Sequence, residues 1–133
     1  MRPETEPWWR QARADLETAE VVLTAGRFYA VSWFVQQAVE KGLKVLWVER
    51  RGVIPPRTDD LRYLGREVVV PAMLEVDLID LNPTFNVARY PDPSRGTVPV
   101  DAVTEDDATR DLAAARRIFG WLDRELNPGL LQP

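Results

Sequence analysis

Apolar residues recur along most of this chain at three- and four-residue steps, the period of helices with one face turned inward. The longest such run is Tyr29 to Val48, in which Val31, Phe34, Val35, Ala38, Val39, Gly42, Val45 and Leu46 form a stripe wide enough to be buried on two sides. That stripe predicts the central helix of a bundle, ending near Arg51-Gly52. Before it, Glu6 to Ala25 places Trp9, Ala12, Leu16, Ala19 and Leu23 on one face, and Gly26 is a stop signal, so the two helices are expected to form a close antiparallel hairpin. The prolines of the linker GVIPPRT forbid helix. Thr58-Asp59 is expected to cap a short helix starting near Asp60 with Leu61, Tyr63 and Leu64. Pro71 interrupts the pattern, which resumes for one or two turns through Met73, Leu74, Val76, Leu78, Ile79 and Leu81.

From Asn82 to Val103 no helical period persists. The composition predicts a long loop with an Asx-turn at Asp92, docked in part through Phe85, Arg89 and Tyr90. Thr104 with Asp107 reads as a capping box opening a last helix, whose seam is Ala108, Leu112, Ala115, Phe119, Leu122 and Leu126 and whose stop is Asn127-Pro128-Gly129. Strand signals are absent. The expected fold is all-α, an antiparallel four-helix up-and-down bundle with a short extra helix and a long loop before the last helix. It is expected to be one domain over 1–133 with its core at about 6–126.

Composition narrows the chemistry. Of the 133 residues none is cysteine or histidine, which removes thiolate sites, disulfides and the commonest general base and metal ligand. No carboxylates have metal spacing, no glycine-rich loop follows a strand, and no nucleophile has a visible base. We therefore assign no catalytic residue, metal or cofactor. The net charge of -4 argues against indiscriminate nucleic-acid binding, although a local basic face remains compatible with it. Charges interrupt every apolar run, and no stretch resembles a signal peptide, so the expectation is a cytoplasmic protein with no membrane contact.

Several polar groups interrupt the helical pattern. Gln36, Gln37, Glu40, Lys41 and Lys44 lie on the central helix, with Glu40 and Lys44 one turn apart in the favourable order. They either surround a cleft or form a satisfied polar layer that sets helix register. Arg50, Arg51, Arg57, Arg62 and Arg66 suggest a phosphate-facing patch with Arg89 and Arg95, interleaved by Tyr63 and Tyr90; the simpler reading is a solvated face of mixed charge. Arg89-Tyr90-Pro91 places a guanidinium and a phenol on a rigid step, suited to clamping phosphate or to packing on the bundle. Adjacent Trp8 and Trp9 cannot both face inward, so one is expected at the surface or against a partner.

Three local patterns together resemble the HEPN family. They are Gln36-Gln37-Ala38-Val39-Glu40-Lys41 with Leu43-Lys44, preceded by Ala14-Asp15-Leu16 with Ala19 and Leu23; Pro55-Pro56-Arg57-Thr58-Asp59-Asp60-Leu61; and Ala88-Arg89-Tyr90-Pro91 with Asp92. Together they cover roughly Trp8 to Leu126. The resemblance implies a helical bundle, often a homodimer, in a family that includes ribonucleases, toxins paired with small nucleotidyltransferase antitoxins, and non-catalytic nucleotide- or RNA-binding members. Asp59 stands where members commonly carry the histidine of Thr-His-Asp-Leu, and Tyr63 lies loosely where some carry a tyrosine that the partner modifies with nucleotide. A carboxylate of ordinary pKa does not replace imidazole in proton transfer at neutral pH. The expectation is a non-catalytic nucleotide- or RNA-binding partner of a small nucleotidyltransferase, contacting ligand or partner through Gln37, Glu40, Lys44, Arg57, Asp59, Tyr63, Arg89 and Tyr90. A ribonuclease lacking the histidine and a structural dimer scaffold are the alternatives.

Overall fold

The structure, a computed structural model, describes residues 1–82 and 88–127. Phe85 and the Pro128-Gly129 stop lie outside them. Helix α1 (Glu6–Thr24) runs into α2 (Phe28–Arg51) through a three-residue turn. Gly26 takes φ 75° there, and the Gly26 and Arg27 amides donate to the Leu23 and Val22 carbonyls, closing the end of α1 while reversing the chain. Gly52, at φ 69°, ends α2 in the same left-handed conformation. Helix α3 (Leu61–Glu67) and helix α4 (Ala72–Leu81) follow, then one turn of α5 (Pro99–Ala102) and the long α6 (Glu105–Leu126).

Helix α2 is central: it packs against α1, α6 and α3, while α4 lies on α6 and α3. The third rod of the bundle is thus α3 and α4 in succession, broken at Pro71 as its ring requires. Val69 takes φ 58° in that break, an uncommon conformation for a β-branched residue, and the Val70 amide turns back to the Gly65 carbonyl. Gly42 sets the closest approach. A Cβ there would stand 2.7 Å from Leu122 and 3.5 Å from Trp9, so its bare backbone admits side chains from α1 and α6. Trp9 stacks on Phe119 beside it, ring centroids 5.4 Å apart, and Trp8 is left half exposed.

The ends of the elements refine the sequence expectations. Thr104 and Asp107 form the complete reciprocal capping box. The cap of α3 is Asp60, not Thr58-Asp59: Asp60 Oδ1 accepts from the Arg62 and Tyr63 amides, and Thr58 supports it by accepting from the Asp60 amide. In the long loop, Asp92 makes the expected Asx-turn, accepting from the Ser94 amide and pairing with Thr97 across an isolated bridge. The turn of α5 was not legible, because Pro99 supplies its first position but only four residues carry it. Among the described residues no helix is long and apolar enough to cross a membrane.

Candidate functional site

Residues 37, 40 and 44 fall at steps of three and four, so Gln37, Glu40 and Lys44 form one polar stripe on α2 beside its buried face. The linker after Pro55-Pro56 brings Arg57, Thr58 and Asp59 to this stripe. Arg89 reaches it from the loop before α5. Together they line an open polar hollow of about 530 Å³. Lys44, Arg57 and Arg89 set three cations there against the carboxylates of Glu40 and Asp59.

A chain of hydrogen bonds anchors the hollow to the bundle. Asp15 on α1, with a nearly buried side chain, accepts from Lys41 at 2.8 Å and from Gln11 at 2.8 Å. Lys41 also donates to Gln37, Gln37 donates to Gln36, and the fully buried Gln36 donates to the Asp59 carbonyl at 3.3 Å. A buried amide keeps such partners because leaving them unmade is costly, and this one fixes the linker on α2. Lys44 and Glu40 pair at 3.1 Å with both side chains largely covered, so the pair is a wall of the hollow, not a solvated surface contact. The Arg89 guanidinium sits 4.8 Å from the Trp33 ring centroid, held in a cation-π arrangement at the edge of the site.

The structure brings together six of the eight expected residues: Gln37, Glu40, Lys44, Arg57, Asp59 and Arg89. Tyr63 is placed elsewhere, its ring 6.2 Å from Trp47 on the outer side of α3. Tyr90 is exposed and lines a separate hollow with the Asp92 turn. The broad arginine patch does not form. Arg50 pairs with Glu125 and donates to the Val68 carbonyl, while Arg51 pairs with Glu67, each lying over a tryptophan, so both tie the end of α2 to its neighbours. Arg95 turns back to Asp92, and Arg62 and Arg66 face α4.

A second depression, of about 650 Å³, lies between α4, α5 and α6. Its charges are mostly committed: Arg117 donates twice to Asp77 at 2.9 and 3.0 Å, and Arg110 pairs with Asp107. Asp111 is buried there against Ser32, and burial pushes its carboxyl up to about 6. No sequence signal marked it, since Asp111 sits inside an otherwise ordinary helical seam. Among the described residues no group of histidines, cysteines or carboxylates is arranged to hold a metal ion.

The family model for the HEPN domain matches residues 5–126. The crystal structure of TT1696 from Thermus thermophilus is similar at a TM-score of 0.85 and 25% identity, over 93% of this chain and 99% of that one. The crystal structure of ST0689, an archaeal HEPN homologue, is similar at a TM-score of 0.77 and 28% identity, over 96% of this chain and 100% of that one. No curated protein matches the chain.

Proposed function

This chain belongs to the HEPN domain family, and on that footing we propose that it is a binding member: a dimer that holds nucleotide or RNA phosphate as the partner of a small nucleotidyltransferase. The supporting observation is the convergence of Lys44, Arg57 and Arg89, from three separate segments, on one hollow carrying the Gln37 amide. Guanidinium and ammonium groups donate to phosphate oxygens, and a side-chain amide adds orientation without further charge. The absence of histidine from the whole sequence supports binding without ribonuclease chemistry. The dimer is supported by α4, where Met73 and Val76 stand 76% and 58% exposed beside the half-exposed Ile79.

Calorimetric titration of nucleotide into the wild type and into Lys44→Ala, Arg57→Ala and Arg89→Ala tests the site. Each loss of a charged donor is expected to weaken binding roughly tenfold or more. Unchanged affinity in Lys44→Ala and Arg89→Ala, with the fold intact, refutes the phosphate reading. Native mass spectrometry of protein drawn from its own cells tests the partner: a bound second small protein is expected, and a bare homodimer removes the nucleotidyltransferase. Varied RNAs incubated with the pure protein are expected to stay intact.

A further inference from the structure

Beside the polar hollow lies a second one of opposite character, about 380 Å³ in volume, walled by Trp8 on α1, Val45 and Val48 on α2, and Ile54 and Pro55 of the linker. Lys44 and Arg57 belong to both hollows. The apolar one therefore opens against the cations of the polar one. Its walls are unusual for a surface: Trp8 is 52% exposed and Ile54 90% exposed. Trp8 faces outward because Trp9 occupies the inward position against Phe119, and the prolines hold the linker opposite it without a helical hydrogen-bond ladder to satisfy.

A ligand matching both chambers carries a flat apolar group and an anion joined by a short spacer. We propose that the apolar hollow seats the base of a nucleotide whose phosphate is held at Lys44 and Arg57. The proposal rests on the phosphate reading of the polar hollow and adds what lies beyond the phosphate. An indole offers a stacking surface to any base, which tolerates sequence variety, and the volume falls in the range of small-molecule sites. Glu4 also borders the hollow and supplies an acceptor for an exocyclic base amine, while Thr5 is committed to Glu49 and the Arg2 carbonyl.

The test titrates adenosine monophosphate and ribose phosphate separately into the full chain and into Trp8→Ala and Trp8→Phe, with melting curves to verify folding. The base is expected to tighten wild-type binding roughly tenfold over ribose phosphate. Trp8→Ala should bring adenosine monophosphate down to the affinity of ribose phosphate and leave ribose phosphate unchanged; Trp8→Phe should keep most of the difference. Equal affinities in the wild type, or a difference that survives Trp8→Ala, overturn the base site while leaving the phosphate site standing. If neither compound binds, the phosphate reading itself fails and the base site with it. A change of mass in light scattering on Trp8→Ala identifies the hollow as a contact between copies and also overturns the proposal.

Discussion

Ser32 Oγ donates a 2.7 Å hydrogen bond to Asp111 Oδ2 in the interior, joining the start of α2 to α6. Burial disfavours the ionised carboxylate and raises its pKa from 3.8 to about 6; the Ser32 hydroxyl and Arg110 act against the rise, and the charges of Asp107 and Asp80 add to it. The folded chain thus binds more protons at this site than the unfolded chain between those two values. Stability falls as pH rises through that window, and the whole penalty is present above about 6. Its size is on the order of 2–3 kcal/mol. Asp111→Asn keeps an acceptor for Ser32 and removes the ionisation, so it should be more stable than wild type at pH 8 and show a flatter stability profile between pH 4 and 6. Denaturant unfolding across pH reads this, and parallel profiles for the two proteins would refute it.

Two helix caps differ in reach. Thr104 caps α6 locally, and Thr104→Ala should cost about 1 kcal/mol. Asp60 accepts from Arg62 and Tyr63 and also from Asn82 Nδ2, while Asn82 Oδ1 accepts from the Leu61 amide, tying the start of α3 to the end of α4. Asp60→Ala should therefore cost more than Thr104→Ala, and Asp59→Ala, which leaves the Asp59 carbonyl in place, should cost less than either. Thermal or chemical unfolding of the three variants gives the order.

Asp107 has the opposite pH sign to Asp111. The Thr104 amide, and after it the Thr104 hydroxyl, hold its carboxyl below the ordinary value against the cost of burial. Its contribution is present above the unfolded value of 3.8 and is lost as pH falls through the lower folded value. Asp107→Asn is expected to be destabilised relative to wild type at neutral pH and to converge on it in acid. A constant difference at all pH values would show that the charge is irrelevant.

Lys41 is the cation facing the nearly buried Asp15 at 2.8 Å, and it also donates to Gln37. Lys41→Met keeps the aliphatic stem but leaves Asp15, among the described residues, with the Gln11 amide alone. A loss of about 1–2 kcal/mol is expected, discounted from fully buried pairs because the lysine retains solvent contact. Pairing the change with Asp15→Asn should recover part of it. The double-mutant cycle measures that coupling directly, and additivity would argue that the ion pair does not anchor the network beneath the hollow.

Charges placed on the outer face of α4 test the proposed dimer. Met73→Glu and Val76→Glu alter exposed positions, so the folded subunit should change by no more than about 0.5 kcal/mol. Light scattering should then report a shift from two subunits to one. Retention of a two-subunit mass would refute α4 as the interface, and a one-subunit mass in the wild type would refute the proposed dimer.

Short-range rules carried much of the architecture. The three long helices, the breaks at Gly26, Gly52 and Pro71, the Thr104-Asp107 box and the Asx-turn at Asp92 depend on residues within a few positions of each other, and each stands where the pattern placed it. The stripe of Gln37, Glu40 and Lys44 was equally legible, because helical spacing alone puts those residues on one side of α2. What lay beyond the sequence was the partner of each group. Whether Trp8 or Trp9 turns inward depends on the space that Gly42 and Phe119 leave, and whether Asp59 or Asp60 caps α3 depends on where Asn82 returns. The arginines near the end of α2 look like one patch in sequence, but α3 and α6 supply carboxylates and carbonyls that divide them. Local geometry repeats every few residues and can be read along the chain. Burial, ion pairing and the meeting of Arg57 with Arg89 depend on distances set only when separate helices pack.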